Sequence, residues 1–453
     1  MMKRTVILLA AACIAGTAFA QTMNIRTGSV TTAVAAAQAG DMTYANNGTE
    51  LTVMGKTFNV SDIDKIYVDD STIEDNTVSI SYNGAAAEVV VAGNIASHLT
   101  TTVDGAYVTI VQDADVADEI TYTLSGASSD GAFTMDGEMK ATVVLDGVSL
   151  TSNRGAAIDI ENGKRIAIVV NDGTTNTFAD YATGDQKSCF FVNGHAEFTG
   201  EGTINLTGNA KHAYRSDEYT QLKKTFTGTI NVLASAGDGL HVEQYLEMNG
   251  GTLNVSNVAA DAIDVAATND LTDEYNGQMF INGGTIIATA EGGDVKVLKA
   301  DADIAITDGA LTLTATGAGS KAISTKGALS ISGGKVEALS LGGVYNDGLA
   351  DEAKPNSIKA TGIITISGGE VYSVATNKAF NTDVASNGFV INGGTLMGIG
   401  GKASADATGS QTIRTTSGYK VTAGATVTYG GVSYTLPENY SRTSIYIVAS
   451  TNN

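Results

Sequence analysis

Three aspartates and a series of lysines carry most of the chemistry this sequence offers. Asp238 and Asp261 are carboxylates about one repeat apart, and Asp264 follows three residues after Asp261. With turn carbonyls they form the donor set of a hard cation, Ca²⁺, which takes six to eight oxygens. Lys296, Lys299, Lys321 and Lys359 follow in the same arithmetic, with His241 at the head of the series. Ammonium groups in a row suit anionic groups that recur along a polymer. Tyr245, with Tyr275 and Tyr345 in nearby repeats, offers rings for stacking. Each feature also has a plainer reading. The aspartates form a solvated acidic ladder, or the lysines solubilise a face and neutralise the aspartates beside them. No D-x-D-x-D-G calcium loop is present. His212 and His241 more often make ordinary hydrogen bonds than bind metal, and four scattered histidines give no zinc spacing.

These residues fall into rows because the chain repeats. "KAISTKGALSISGGKVEAL" from Lys321 and "NSIKATGIITISGGEVYSV" from Asn356 say nearly the same thing. The two-glycine step recurs through NGGTLNV, NGGTIIA, TDGALTL, SGGKVEA, SGGEVYS and NGGTLMG at a modal spacing of about 25 residues. Counted from that glycine, the residue thirteen earlier is Asp238, Lys296, Lys321 or Asn356, and the residue ten earlier is His241, Lys299, Ser324 or Lys359. Asp261 and Asp264 take the same places in a repeat lengthened by an insertion at 268–277, and a second insertion falls at 341–355.

A period of this length without helical patterning, leucine-rich signatures or four-strand blades predicts an all-β, right-handed parallel β-helix: a solenoid with coils of about 25 residues. Each coil then lies ~4.8 Å above the last, so like stacks on like. Leu329, Ile331, Ile364 and Ile366 point into the core, and the glycines provide the φ > 0 turn. No GxxxxGK[ST] occurs, so the glycines read as structural.

Composition bounds the rest. The chain has 53 Gly, two Pro, no Trp and a net charge of −22. Such acidity argues against nucleic acid and anionic membrane as partners. A basic n-region, a short apolar run and Ala18-Phe19-Ala20 read as a signal peptide over 1–20, so the protein is expected outside the cell or at its surface. Cys13 lacks a lipobox context, and Cys189 remains alone, so no internal disulfide forms. No segment is apolar enough to span a membrane. The expected partition is a small N-terminal β module over 21–112, the solenoid over 113–401, and a C-terminal β cap over 402–453, in a monomer.

The stretch 120–180 carries "VVLDGVSL", "RGAAIDI" and the turn "NDGTTNTFAD", followed by the D-G and G-G-T-I coils. In that order these markers resemble the secreted parallel β-helix family of carbohydrate-binding proteins, of the type that binds polygalacturonate; the resemblance runs over about 120–401. It implies extracellular binding of an acidic, uronic-acid polysaccharide, calcium in the coils, and a fold similar to pectate lyases without catalysis. Lys296, Lys299, Lys321, Lys359, His241 and Tyr245 would then meet the glycan, and Asp238, Asp261 and Asp264 the ion. Two alternatives stay open: a polysaccharide lyase, with a lysine base beside a calcium-bound carboxylate near Asp261 and Lys296, and an adhesion protein with no glycan site. The ordered motifs of galacturonan hydrolases are absent, since Asn381-Thr382-Asp383 follows rather than precedes the Asp69-Asp70 pair.

Overall fold

Alternation sets the elements. In Leu329–Ile331 the two apolar residues are fully buried and Ser330 between them is exposed, as an outward-and-inward strand requires. Its parallel partner is the equivalent stretch of the next repeat: Leu329 faces Ile364, Ile331 faces Ile366, and Val336 faces Val371. The two similar sequences are therefore neighbours in space.

The computed structural model describes residues 21–40, 42–115, 118–346, 348 and 352–451. The expected signal segment and Cys13 lie outside the described residues. Among the described residues the fold is all-β, and helical turns are confined to short 3-10 segments at Asn46–Gly48, Val60–Asp62 and Ala96–His98.

The chain divides into two compact units. The first comprises the residues up to Thr77 with Val90–Ser97. Its strand Thr22–Thr27 pairs antiparallel with Val30–Ala35 and with Lys65–Asp69. The hairpin Glu50–Val53 with Lys56–Asn59 adds Leu51, Val53 and Phe58 to a core shared with Met23, Ile25 and Val34.

The second unit holds the repeats. A twelve-stranded sheet begins with Leu99–Asp104 antiparallel to Ala106–Gln112, and from there each successive pairing is parallel, through Gly131–Asp136 to Phe380–Thr382. The parallel ladder thus starts at Ala106–Gln112, inside the segment expected to form the N-terminal module. Further parallel ladders run through the strands on either side of the glycine step. At that step Gly334 and Gly369 take φ of +73° and +76°, and a Cβ on either would lie 2.6 Å from the backbone oxygen of the equivalent glycine one repeat earlier. Only glycine suits both conditions.

Polar rows tie the repeats together. On one outer strand face Asn254 donates to Asn231 Oδ1 and Asn231 to Asn205 Oδ1, each at 2.8 Å. Asn176, from the "NDGTTNT" turn, is fully buried; its Oδ1 accepts the Val148 N–H at 2.9 Å and its Nδ2 donates to Thr203 O at 3.2 Å. One side chain therefore joins three successive repeats. Asn176→Ala leaves an N–H and a carbonyl unpartnered in the interior, and the expected destabilisation is about 2–4 kcal/mol in denaturant unfolding. An unchanged midpoint would show that the turn holds without the bridge.

At the C-terminal end Ser444–Ser450 runs antiparallel to part of Phe389–Gly401 and to Ile413–Lys420. It brings Ile445 and Ile447 onto Val421, Val427, Val432 and Leu436. This covers the edge that a further parallel strand would otherwise extend.

Candidate functional site

The outward face of the twelve-stranded sheet carries the predicted residues. Arg215, His241, Asp264, Lys299, Ser324 and Lys359 are register partners in successive strands. Their flanking residues Leu240, Val242, Ile263, Val265, Leu298 and Ala300 are buried, so the row itself must point away from the core. The row His, Asp, Lys, Ser, Lys expected from the repeat is therefore found in register. Lys296 and Lys321 pair in the adjoining row.

Asp238 and Asp261 stand just before their strands, and each has a backbone duty. Asp238 Oδ1 accepts the N–H of Asp261 at 2.9 Å, and Asp261 Oδ1 accepts the N–H of Lys296 at 2.7 Å. A carboxylate at this position caps the entry of the following repeat. Asp238, Asp261 and Asp264 are only 7%, 8% and 4% exposed, so the reading as a solvated acidic ladder does not hold.

Buried carboxylates need compensation, and two cations supply it. His241 Nδ1 lies 3.0 Å from Asp238 Oδ2 and 3.2 Å from Asp264 Oδ2. Lys299 Nζ lies 3.1 Å from Asp261 Oδ2 and 3.2 Å from each oxygen of Asp264. Burial works against the charge on His241, but hydrogen bonds to Asp238 and Asp264 outweigh it and hold its pKa up at about 9. Burial likewise opposes the Lys299 ammonium, and the charges of Asp264 and Asp261 raise it above the ordinary lysine value. Asp238 is held well below the usual carboxylate range: its burial is outweighed by the His212 and His241 rings beside its carboxylate.

His212 completes the cluster, and the fixed-offset count missed it. Its Nδ1 accepts the Asp238 N–H at 3.1 Å, and its ring stacks on His241 at 4.6 Å between centroids. Burial pushes its pKa down, consistent with a neutral ring accepting that bond. Residues 223–225 bulge out of the ladder between Phe198–Leu222 and Gly200–Phe226. Counting back thirteen from Gly228 therefore stops at Arg215, short of His212. Counting one coil upstream from Asp238 would have found it.

The calcium expectation can be tested on this donor set. Asp238 and Asp261 each commit one oxygen to a backbone N–H, and the rest face His241 and Lys299. A hard cation wanting six to eight oxygens meets an ammonium and an imidazolium instead. As arranged, the carboxylate oxygens are compensated by Lys299 and His241.

The six expected glycan contacts separate. Tyr245 lies on another ladder, is 9% exposed, stacks on Tyr219 at 4.8 Å and meets Tyr275 edge-on at 5.6 Å. Its faces are occupied, so it offers no open platform. Lys321 is buried and holds Asp294 Oδ1 at 2.8 Å and Gly319 O at 2.9 Å. His241 and Lys299 face the aspartates. Lys296 and Lys359 remain half-exposed. Both line a concavity of about 200 Å³ with Ser324, Lys326 and Thr361, and Lys359 also lines a neighbouring one of about 370 Å³ with Lys321, Lys354 and Asn356. Lys326 pairs with Asp301 at 2.7 Å, while Lys359 makes no ion pair among the described residues.

Residues 104–407 match the model of the family described as carbohydrate-binding domain-containing protein. The chain belongs to that family. No curated protein matches the chain. Among solved structures it is similar to the polysaccharide lyase-like protein from C. thermocellum, solved as a gadolinium derivative, at 21% identity and a TM-score of 0.46, covering 56% of this chain and 97% of that one.

The carbohydrate-binding family match spans the whole parallel run of the twelve-stranded sheet, from Ala106–Gln112 to Phe380–Thr382. The lysine face and the aspartate cluster both lie inside it. Neither Lys299 nor His241 is suited to take a proton near neutral pH, since each is held in its charged form.

Proposed function

We propose that this carbohydrate-binding protein holds an acidic, uronic-acid polysaccharide against the outer face of the twelve-stranded sheet, without catalysis. It acts as a single chain outside the cell or at its surface, with the ladders wound as a right-handed parallel β-helix. The observation that carries the reading is Lys359. It lines two concavities that hold Lys296, Lys326 and Lys354 along with Asp294, Asp301 and Glu352, and it makes no ion pair among the described residues. An overall charge of −22 does not forbid an acidic ligand, because charges beyond about 8 Å are largely screened at physiological salt. Local ammonium groups then decide binding.

Lys359→Ala is expected to weaken retention on polygalacturonate in affinity electrophoresis about five-fold and to flatten its salt dependence. Lys335→Ala, an exposed lysine on a different ladder, is expected to leave retention unchanged. Equal behaviour of both variants would remove Lys359 from the site. Release of unsaturated uronides would replace the reading with a lyase.

A further inference from the structure

Three aspartates converging below the surface would attract a divalent cation if nothing else balanced them. One ligand oxygen from each of Asp238, Asp261 and Asp264 lies within 4.8 Å of the others. Lys299 Nζ reaches three of the oxygens in this cluster at 3.1–3.2 Å. Asp264 is 4% exposed, and its Oδ1 receives no hydrogen bond; only the ammonium charge compensates it. Asp238 and Asp261 cannot rotate away, because each is anchored through Oδ1 to the backbone of the next repeat.

We propose that the Lys299 ammonium is the resident cation of this cluster, and that removing it uncovers a latent divalent-cation site built from Asp238, Asp261 and Asp264. A lysine reaching in from the next strand does what a bound ion would do, with a charge that cannot dissociate. Shortening it leaves a volume lined by fixed carboxylate oxygens and open to water from the Lys299 side, which is a third exposed. A hard cation takes such oxygens, with water filling the remaining positions. This inference is independent of the glycan.

Calorimetric melting with calcium or with chelator, together with calcium titration, tests it. The wild type and Lys299→Arg are expected to melt at the same temperature in both buffers and to bind no calcium. Lys299→Gln is expected to melt lower in chelator, to bind one calcium per chain, and to regain roughly 5 °C at saturating calcium. A wild type that binds calcium in this cluster and melts higher overturns the proposal, as does a folded Lys299→Gln indifferent to calcium. Should Lys299→Gln fail to fold in either buffer, Lys299→Gln/Asp264→Asn removes one charge of each sign. That double variant must fold and ignore calcium; misfolding or a calcium response overturns the proposal equally.

Discussion

Gly369→Val is expected to lower the unfolding free energy by about 3–5 kcal/mol. Two costs add. At φ +76° a β-branched side chain is strained in a region that L residues rarely adopt. The new Cβ would also lie 2.6 Å from Gly334 O and 2.7 Å from Gly333 O, both backbone atoms held by the ladder of the previous repeat. Neither can retreat without breaking the registers Lys335 to Glu370 and Val336 to Val371. Gly369→Ala should cost about 2 kcal/mol, from the conformational strain and a milder version of the same contact. Denaturant unfolding of the two variants checks the order. A valine variant within 1 kcal/mol of wild type would mean that the turn can change its geometry independently of the stack.

The second large effect is a loss of stability between pH 6.5 and 9. His241 keeps its proton up to about 9 in the fold, against an ordinary value of 6.5. The stabilisation it provides is complete below pH 6.5 and is withdrawn as pH rises through that window, by an amount on the order of 3 kcal/mol. The groups facing it are Asp238, Asp264, the ring of His212 and, more distantly, Arg215. Lys299 is raised as well, so its contribution survives to above the ordinary lysine range and does not overlap the window. Two groups act in the opposite direction. Asp238, held low, contributes above the ordinary carboxylate value and fails only as pH falls below it. His212, pushed down, weakens the fold as pH falls below 6.5. In unfolding measured at pH 6.5 and 9.5, the wild type should lose most of the His241 contribution, and His241→Gln should show no such alkaline loss. An equal loss in both proteins would assign the titration elsewhere.

Much of this was legible in the sequence, because a parallel stack turns spacing into adjacency. The two-glycine steps located the turns, and counting from them placed His241, Asp264, Lys299, Ser324 and Lys359 in one row. Burial was not legible. Aspartates in a charged row look solvated on paper, yet here they cap backbone N–H groups beneath the surface, and a sequence does not show which oxygen meets which N–H. For Lys299 and Lys321 the sequence left two readings open, contact with a glycan or neutralisation of nearby carboxylates, and the structure has each serving a carboxylate within its own face. His212 escaped because the bulge at 223–225 broke the count. Tyr245 was misread because its neighbours Tyr219 and Tyr275 come from adjacent repeats and cover its ring. The start of the parallel ladder at Ala106–Gln112 was hidden too, since a strand that pairs antiparallel on one side and parallel on the other has no distinct pattern.

The asparagine row has a sense of direction. Asn254 gives its amide proton to Asn231, and Asn231 to Asn205, at sequence distances of 23 and 26 residues. Every dipole in the row points toward the start of the chain. Removing the residues from Asn231 up to Asn254 would set Asn254 against Asn205 with the same orientation, whereas excising half a repeat would leave the row without a partner at the join. Length in this protein is thus counted in whole repeats.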